Sequence, residues 1–137
     1  MSDAFIDTIK ISASGMKAES DRSRIAARNL ANAATTDAGD GKPYQREIPV
    51  FQQVLDRENN QKQVNLKKIV KDQSAFEKRY EPSHPKADQN GYVEYPNVNP
   101  IIEKADYEEA KHNYQAGLKM IKATQEMHSQ TVNLLKP

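Results

Sequence analysis

Proline is confined to the middle of this 137-residue chain, which limits where long helices can form. Residues 1–34 and 101–136 contain no proline. Six of the seven prolines lie between them, at Pro43, Pro49, Pro82, Pro85, Pro96 and Pro100. Because proline interrupts a helix interior, each end can form one long helix, whereas the middle is irregular or built from short strands. The predicted fold is α+β, with helical arms over residues 1–35 and 99–137 and a small β-rich middle domain over residues 36–98.

The N-terminal arm has a heptad pattern that begins at Ile6. Its a and d positions keep a spacing of three and four residues over four heptads. They are Ile6, Ile9, Ala13, Met16, Ser20, Ser23, Ala27, Leu30 and Ala34. Small side chains let two helices approach closely but bury little apolar area. Gly15 inside this arm weakens the helix further, by about 1 kcal/mol relative to alanine.

The C-terminal arm has a helix start signal and its own heptad. Asn99 is a favourable N-cap, and Pro100 suits the first helical position. The heptad positions are Tyr107, Ala110, Tyr114, Gly117, Ile121, Thr124, His128, Thr131 and Leu135. Because the two arms share one period, we expect them to pack as a coiled-coil-like pair.

Two arrangements of the arms fit these patterns. In the first, they form an antiparallel helical hairpin within one molecule; in the second, both helices also pack against neighbouring copies. Only 36% of the residues are hydrophobic and the mean hydropathy is −0.90, so one copy has little material for a core. This shortage favours burial between chains. The predicted seam and subunit-interface residues are Ile6, Ile9, Ala13, Met16, Ala27, Asn29, Leu30, Asn32, Tyr107, Tyr114, Ile121 and Leu135.

Asn29 and Asn32 are unusual residues for the interior of a regular helix. Their amides could cap the helix end by satisfying free backbone groups. They could instead bind the loop after Thr36 or a neighbouring chain. We expect them to fix the junction between the first helix and the middle domain.

The middle of the chain contains three candidate strands. Residues 44–51 and 64–70 alternate in part, and Pro49 would make the first of them an edge strand. Asn90-Gly91 predicts a turn before a strand at Tyr92–Tyr95. No clean strand is expected before that turn, because Pro82 and Pro85 intervene.

The composition excludes several classes of protein. No apolar run is long enough to span a bilayer, and the acidic N-terminus lacks the features of a cleavable signal peptide. A net charge of +1 argues against a nucleic-acid binder. The chain has no cysteine, no phosphate-binding glycine loop and no nucleophile elbow. A single Glu109-x-x-His112 is too little for a di-iron site. We therefore expect no enzymatic activity, cofactor, metal or small-molecule substrate.

Two sets of motifs resemble a known family. SGMKA at residues 14–18 and NLANA at residues 29–33 resemble the N-terminal motif of bacterial flagellar rod and hook proteins. The stretch from residue 80 to residue 98, with Glu103, is similar to the proximal rod proteins within that family. Residues 41–46 and 114–116 also fit, so the resemblance covers most of the chain.

The resemblance implies a structural subunit of the flagellar basal-body rod. Such a subunit leaves the cytoplasm through the flagellar type III export apparatus without a cleavable signal peptide. It then assembles helically in the periplasmic space with copies of itself and other rod proteins, and transmits torque from motor to hook. Lys104, His112 and Gly117 depart from the usual pattern. The alternative is a soluble cytoplasmic coiled-coil adaptor that binds a single protein partner.

Overall fold

The computed structural model describes residues 2–58 and 60–136 as two long helices with four strands between them. The elements are α1 (Ser2–Ala31), β1 (Glu47–Asp56), β2 (Gln61–Lys71), β3 (Glu77–Tyr80), β4 (Tyr92–Tyr95) and α2 (Pro100–Leu134). This order confirms the predicted α+β class with a helix at each end. Met1 and Pro137, the outermost residues of the two predicted arms, lie outside the described residues.

The two helices pack side by side and run in opposite directions. Their contacts step along the pair so that the α2 residue number falls as the α1 number rises. From the free ends inward they join Phe5 to His128, Met16 to Gly117, Glu19 to Asn113, Arg22 to Glu109, and Asn29 to Glu103. The predicted pairing of the two arms is therefore confirmed, and within one chain it is antiparallel.

The start of α2 follows the sequence signal. The side chain of Asn99 accepts hydrogen bonds from the backbone nitrogens of Ile101, at 3.0 Å, and Ile102, at 3.5 Å. Pro100 occupies the first turn, where its missing N–H has no cost. Asn99 therefore satisfies backbone donors that the helix itself leaves free.

Strands β1 and β2 form a long antiparallel hairpin that packs on α1. Their register runs from Glu47 opposite Lys71 to Asp56 opposite Gln61, with an irregularity between Val50 and Phe51. Both predicted strands exist, but their boundaries were wrong. The hairpin extends well beyond the apolar alternation, because backbone pairing between the strands continues along polar residues near its tip.

Strands β3 and β4 form a second antiparallel pair, and the sequence predicted only β4. Each residue of β3 is exposed, so the strand has no apolar alternation to reveal it. The expectation that nothing would pair before the Asn90 turn was wrong. Pro82 and Pro85 lie in the loop that connects the strands rather than within a strand. The pair is anchored by Val93, whose side chain is fully buried.

The buried interior is small and partly polar. Among the described residues the buried apolar side chains are Ala18, Ile25, Ala26, Pro43, Tyr44, Val93, Pro96, Val98 and Ala110. The buried polar or charged ones are Asn29, Glu47, Gln61, Glu103 and Thr124. Polar groups removed from water must find partners to avoid a large cost. The arrangement of those partners therefore decides how the segments fit together.

The closest approach of the two helices predicts a difference between two glycine substitutions. A Cβ at Gly117 would lie 2.6 Å from Cγ of Met16, whereas a Cβ at Gly15 would meet no atom within 4 Å. Overpacking of this kind costs about 1–3 kcal/mol. We expect Gly117→Val to be less stable than Gly15→Val by that amount in urea unfolding of the free chain. Because both changes carry the same helix propensity, equal stabilities would show that this contact does not limit the packing.

Candidate functional site

The twelve sequence-predicted residues occupy three kinds of environment in one chain. Asn29 is buried, with 1% of its surface exposed. Ile9, Met16, Asn32 and Ile121 are half-buried. The remaining residues are exposed: Ile6, Ala13, Ala27, Leu30, Tyr107, Tyr114 and Leu135.

The heptad frames therefore need a correction as descriptions of the contact within one chain. On α1 the contact with α2 includes Met16, a member of the heptad that begins at Ile6, but it also includes Phe5 and Arg22, which lie outside that heptad. The physical reason is that α1 packs against two partners, α2 on one side and the β1–β2 hairpin on another, and a single heptad describes one contact only.

On α2 the predicted heptad, which begins at Tyr107, was partly right. Ala110 and Thr124 are buried, Gly117 faces Met16, and His128 packs edge-on against Phe5 at 5.1 Å between ring centroids. Three other frame members point to solvent, namely Tyr107, Tyr114 and Leu135. Their predicted part in contacts between copies stays a prediction.

Asn29 lies at the junction of the two helices and the middle of the chain. Its Nδ2 donates to the backbone oxygen of Glu47, at 2.8 Å, and to Oε2 of Glu103, at 3.2 Å. Its Oδ1 accepts from the backbone nitrogen of Glu47 and from the hydroxyl of Tyr44, each at 2.9 Å. One amide thus contacts the segment leading into β1, β1 itself and the first turn of α2.

The contact between Asn29 and Glu47 also protects one edge of the hairpin. The amide pairs with both backbone groups of Glu47, as a neighbouring strand would. Backbone groups alternate in direction along a strand, so the next residue that points the same way is Pro49, which has no N–H to offer. The start of β1 is therefore closed to pairing with another strand.

Asn32 acts locally. Its Nδ2 donates to the backbone oxygen of Arg28, at 2.9 Å, and its Oδ1 accepts from the hydroxyl of Thr35, at 3.2 Å. Both contacts lie within the last turn of α1 and the residues after it. Of the two alternatives left open by the sequence, capping describes Asn32 and bonding to a more distant segment describes Asn29.

Glu103 and Arg46 form an ion pair at the same junction. Glu103 has 1% of its surface exposed, and one of its oxygens accepts a hydrogen bond from Nε of Arg46. Asp72 and Asp106 lie 3.7 Å from the same guanidinium group. Burial opposes the charge of Arg46, but the bond to Glu103 and these carboxylates raise its pKa above the ordinary value. Arg46 is thus held in its charged form.

Glu47 and Tyr44 complete the polar cluster. The carboxylate of Glu47 contacts Arg28, at 2.8 Å, and Lys71, at 3.0 Å. Burial and the charge of Glu47 raise the pKa of Tyr44 to about 12. The tyrosine therefore keeps its proton and donates a hydrogen bond to Oδ1 of Asn29. The sequence placed Tyr44, Arg46 and Glu47 in a candidate strand and Glu103 in the motif shared with proximal rod proteins, but it predicted no polar cluster among them.

A second polar contact joins the loop after α1 to the loop between β3 and β4. Lys86 forms an ion pair with Asp37, whose carboxylate also accepts hydrogen bonds from the backbone nitrogens of Gly39 and Gly41. These contacts lower the pKa of Asp37 to about 2, with the lysine bond as the largest cause. The charged form of Asp37 is therefore favoured by folding.

Comparison with known proteins decides the family. A family model described as flagellar basal body rod FlgEFG protein C-terminal matches residues 89–134. Proteins named flagellar basal-body rod protein FlgC match nearly the whole chain. The protein from Agrobacterium fabrum is 41% identical over 93% of this chain and 92% of its own length. The protein from Aquifex aeolicus is 37% identical over 99% of this chain and 100% of its own length. The protein from Salmonella typhimurium is 34% identical over 96% of this chain and 98% of its own length.

The chain belongs to the FlgC family of flagellar basal-body rod proteins. It is therefore a structural subunit of the basal-body rod, and the adaptor alternative is not favoured. Within residues 2–58 and 60–136, no helix is long and apolar enough to cross a membrane. The junction around Asn29 is accordingly a structural site of a rod protein, in which hydrogen bonds and ion pairs hold three segments together.

Two asparagine substitutions should differ in their cost. Asn29→Ala leaves four buried hydrogen-bonding groups without this partner, and each such group costs about 1–3 kcal/mol. We expect a loss of at least ~3 kcal/mol in the free energy of unfolding, measured by urea titration. The matched control Asn32→Ala removes only a local cap, worth about 1 kcal/mol. Equal losses from the two changes would contradict the role assigned to Asn29.

The lowered pKa of Asp37 predicts acid sensitivity. Its ordinary pKa is 3.8 and its folded pKa is about 2, so its contribution to stability is complete above pH 4 and disappears as the pH falls toward 2. When the midpoint of urea unfolding is measured from pH 5 to pH 2, the midpoint of Asp37→Asn should fall less than that of the unmodified chain. Asp40→Asn is the matched control, because Asp40 makes no ion pair within the described part of the loop. If Asp37→Asn and the unmodified chain decline in parallel, the ion pair does not contribute.

Proposed function

We propose that this rod protein assembles helically with copies of itself and with other rod proteins, and that the resulting rod transmits torque from motor to hook. It acts through packing alone, without catalytic activity, cofactor, nucleic acid or small-molecule substrate. The observation that carries the proposal is the apolar surface that one chain leaves uncovered on its helical pair. Seven of the twelve predicted interface residues belong to that exposed surface.

Two stripes make up one uncovered face of the pair, which we name the stripe face. On α1, Ile6, Ala13 and Ala27 are spaced by seven or fourteen residues and so lie nearly on one line. On α2, Tyr107 and Tyr114 form a similar line. Their exposed fractions, 36% and 41%, are large for side chains of this size. A face of this kind on a protein is typical of an interaction surface.

A groove shows that both stripes lie on the same side of the pair. It has a volume of about 180 Å³ and is lined by Phe5, Ile6 and Ile9 of α1 and by Gln125 and His128 of α2. Gln125 lies on the same line of α2 as the exposed Leu118, seven residues before it. The stripe face therefore spans both helices, as a contact between packed helical pairs requires.

We propose that the assembled protein lies in the periplasmic part of the basal body. It reaches that place through the flagellar type III export apparatus. Support comes from the family, since rod proteins named FlgC match nearly the whole chain. The junction around Asn29 then gives the folded subunit one fixed geometry, through which load passes between helices and strands.

A charge on the exposed helix surface should block assembly without unfolding the chain. Leu30 is 38% exposed, so Leu30→Asp leaves its carboxylate hydrated in the free protein. In a packed contact the same charge would be buried without a partner, at a cost of several kcal/mol. In a host strain that lacks its own copy, we expect no assembled rods and no motility, with far-UV circular dichroism of the purified variant unchanged.

Gln53→Asp serves as the control, because Gln53 is an exposed polar residue of β1, outside the helical pair. It should support motility. Normal rods containing Leu30→Asp would refute the proposed contact, and a host that stays non-motile even with the unmodified chain would refute the function itself.

A further inference from the structure

A second groove lies on the side of the helical pair opposite the stripe face. Its volume is about 360 Å³, and its lining includes Gly15 and Glu19 from α1 and Ala116, Gly117 and Met120 from α2. Successive residues of a helix are turned by about 100°. Ala116 is therefore turned by about 200° from Tyr114, so the groove and the tyrosine face opposite sides of α2.

The groove owes its width to Gly15, which has no packing role within one chain. A Cβ at this position would meet no atom within 4 Å. Glycine in a helix interior is less favourable than alanine, so the sequence loses stability here without any gain in the fold of a single copy. The same groove leaves Met120 with 55% of its surface exposed. Space of this kind fits a side chain that comes from another molecule.

The opposite side of α2 carries side chains of a complementary kind. Tyr107, Tyr114 and Leu118 are between 36% and 41% exposed, and they recur with the spacing of one helix line. Lys111 lies between the two tyrosines on that line and makes no ion pair within the described residues. One side of the pair therefore presents bulky apolar groups around a lysine, and the other presents a groove.

The charge at the rim of the groove is opposite in sign to that of Lys111. Glu19 and Glu109 share Arg22, whose guanidinium nitrogens lie 3.4 Å from an oxygen of each carboxylate. One guanidinium balances only one of the two carboxylates, so the rim of the groove keeps a negative charge. The free Lys111 on the opposite side has the sign needed to balance it.

We propose that the groove at Gly15 receives Tyr114 of a second copy of this chain, with Lys111 of that copy beside Glu19 and Glu109. The inference rests on the proposed rod function and names the contact between copies. Two different surfaces meet in it, so it is heterologous and can repeat from copy to copy, as an open helical assembly needs. The partner is a second copy because Tyr114 and the groove that receives it are both present on one chain.

The decisive variant is Gly15→Leu, which fills the groove. Since a Cβ at this position would meet no atom within 4 Å and leucine favours a helix more than glycine does, we expect the melting temperature of the free protein to stay the same or rise. In a host strain lacking its own copy, we expect loss of assembled rods and of motility. Gln53→Leu adds the same side chain to an exposed site of β1, outside both faces of the helical pair, and it should assemble normally. Normal rods with Gly15→Leu, or equal loss with Gln53→Leu, would overturn the proposal.

A cross-link tests the contact without relying on that variant. The chain has no cysteine, so Tyr114→Cys combined with Ala116→Cys introduces the only two thiols. They face opposite sides of α2 and cannot bridge within one copy. We expect oxidised rods to give a ladder of linked copies, and Tyr114→Cys with Lys122→Cys to give none. Rods that contain the first pair yet give no ladder would refute this contact while leaving the rod function intact. If the unmodified chain never enters rods, the function and the contact both fail.

Discussion

The side-chain amide of Asn29, a residue of α1, hydrogen-bonds to β1 through Glu47 and to α2 through Glu103, and so joins the three segments that meet at the junction. The fold depends on it because the chain has few apolar residues with which to define its geometry. A small apolar core tolerates several arrangements, whereas a polar cluster is satisfied in few. The ion pair between Glu103 and Arg46 has the same effect, because separating the partners would leave a buried charge alone.

The helices could be predicted from the sequence, and part of the sheet could not. Proline placement and the Asn99-Pro100 signal mark where helices can begin and end, since these are local backbone effects. Strand β3 escaped prediction because all four of its residues are exposed and its stability comes from pairing with β4. The hairpin tip escaped for the same reason. Backbone pairing with a distant segment requires no alternation of apolar and polar side chains when both faces of the strand are exposed to water.

Asn29 could be singled out in advance, because asparagine is unfavourable inside a helix and so needs a compensating contact. The partners of Asn29 could not be predicted, since nothing in the sequence distinguishes Glu103 from any other acid in the first turn of a helix. The heptad frames erred for a related reason. A repeat of seven identifies one apolar line, but α1 has three sides to satisfy: α2, the hairpin and the surface left uncovered. The residues on its exposed line are apolar without being buried in one chain.

Buried side chains and uncovered apolar groups are unevenly distributed along the helical pair. Near the junction, Ile25, Asn29 and Glu103 are almost completely buried. Toward the free ends, Thr124 is the buried α2 residue among those described, and Met127 and Leu134 are largely exposed. Local stability follows burial, so the free ends need the least energy to open. The proposed contacts between copies along this part of the pair would therefore supply order as well as adhesion, because each copy that packs there would cover the apolar surface its neighbour cannot cover alone.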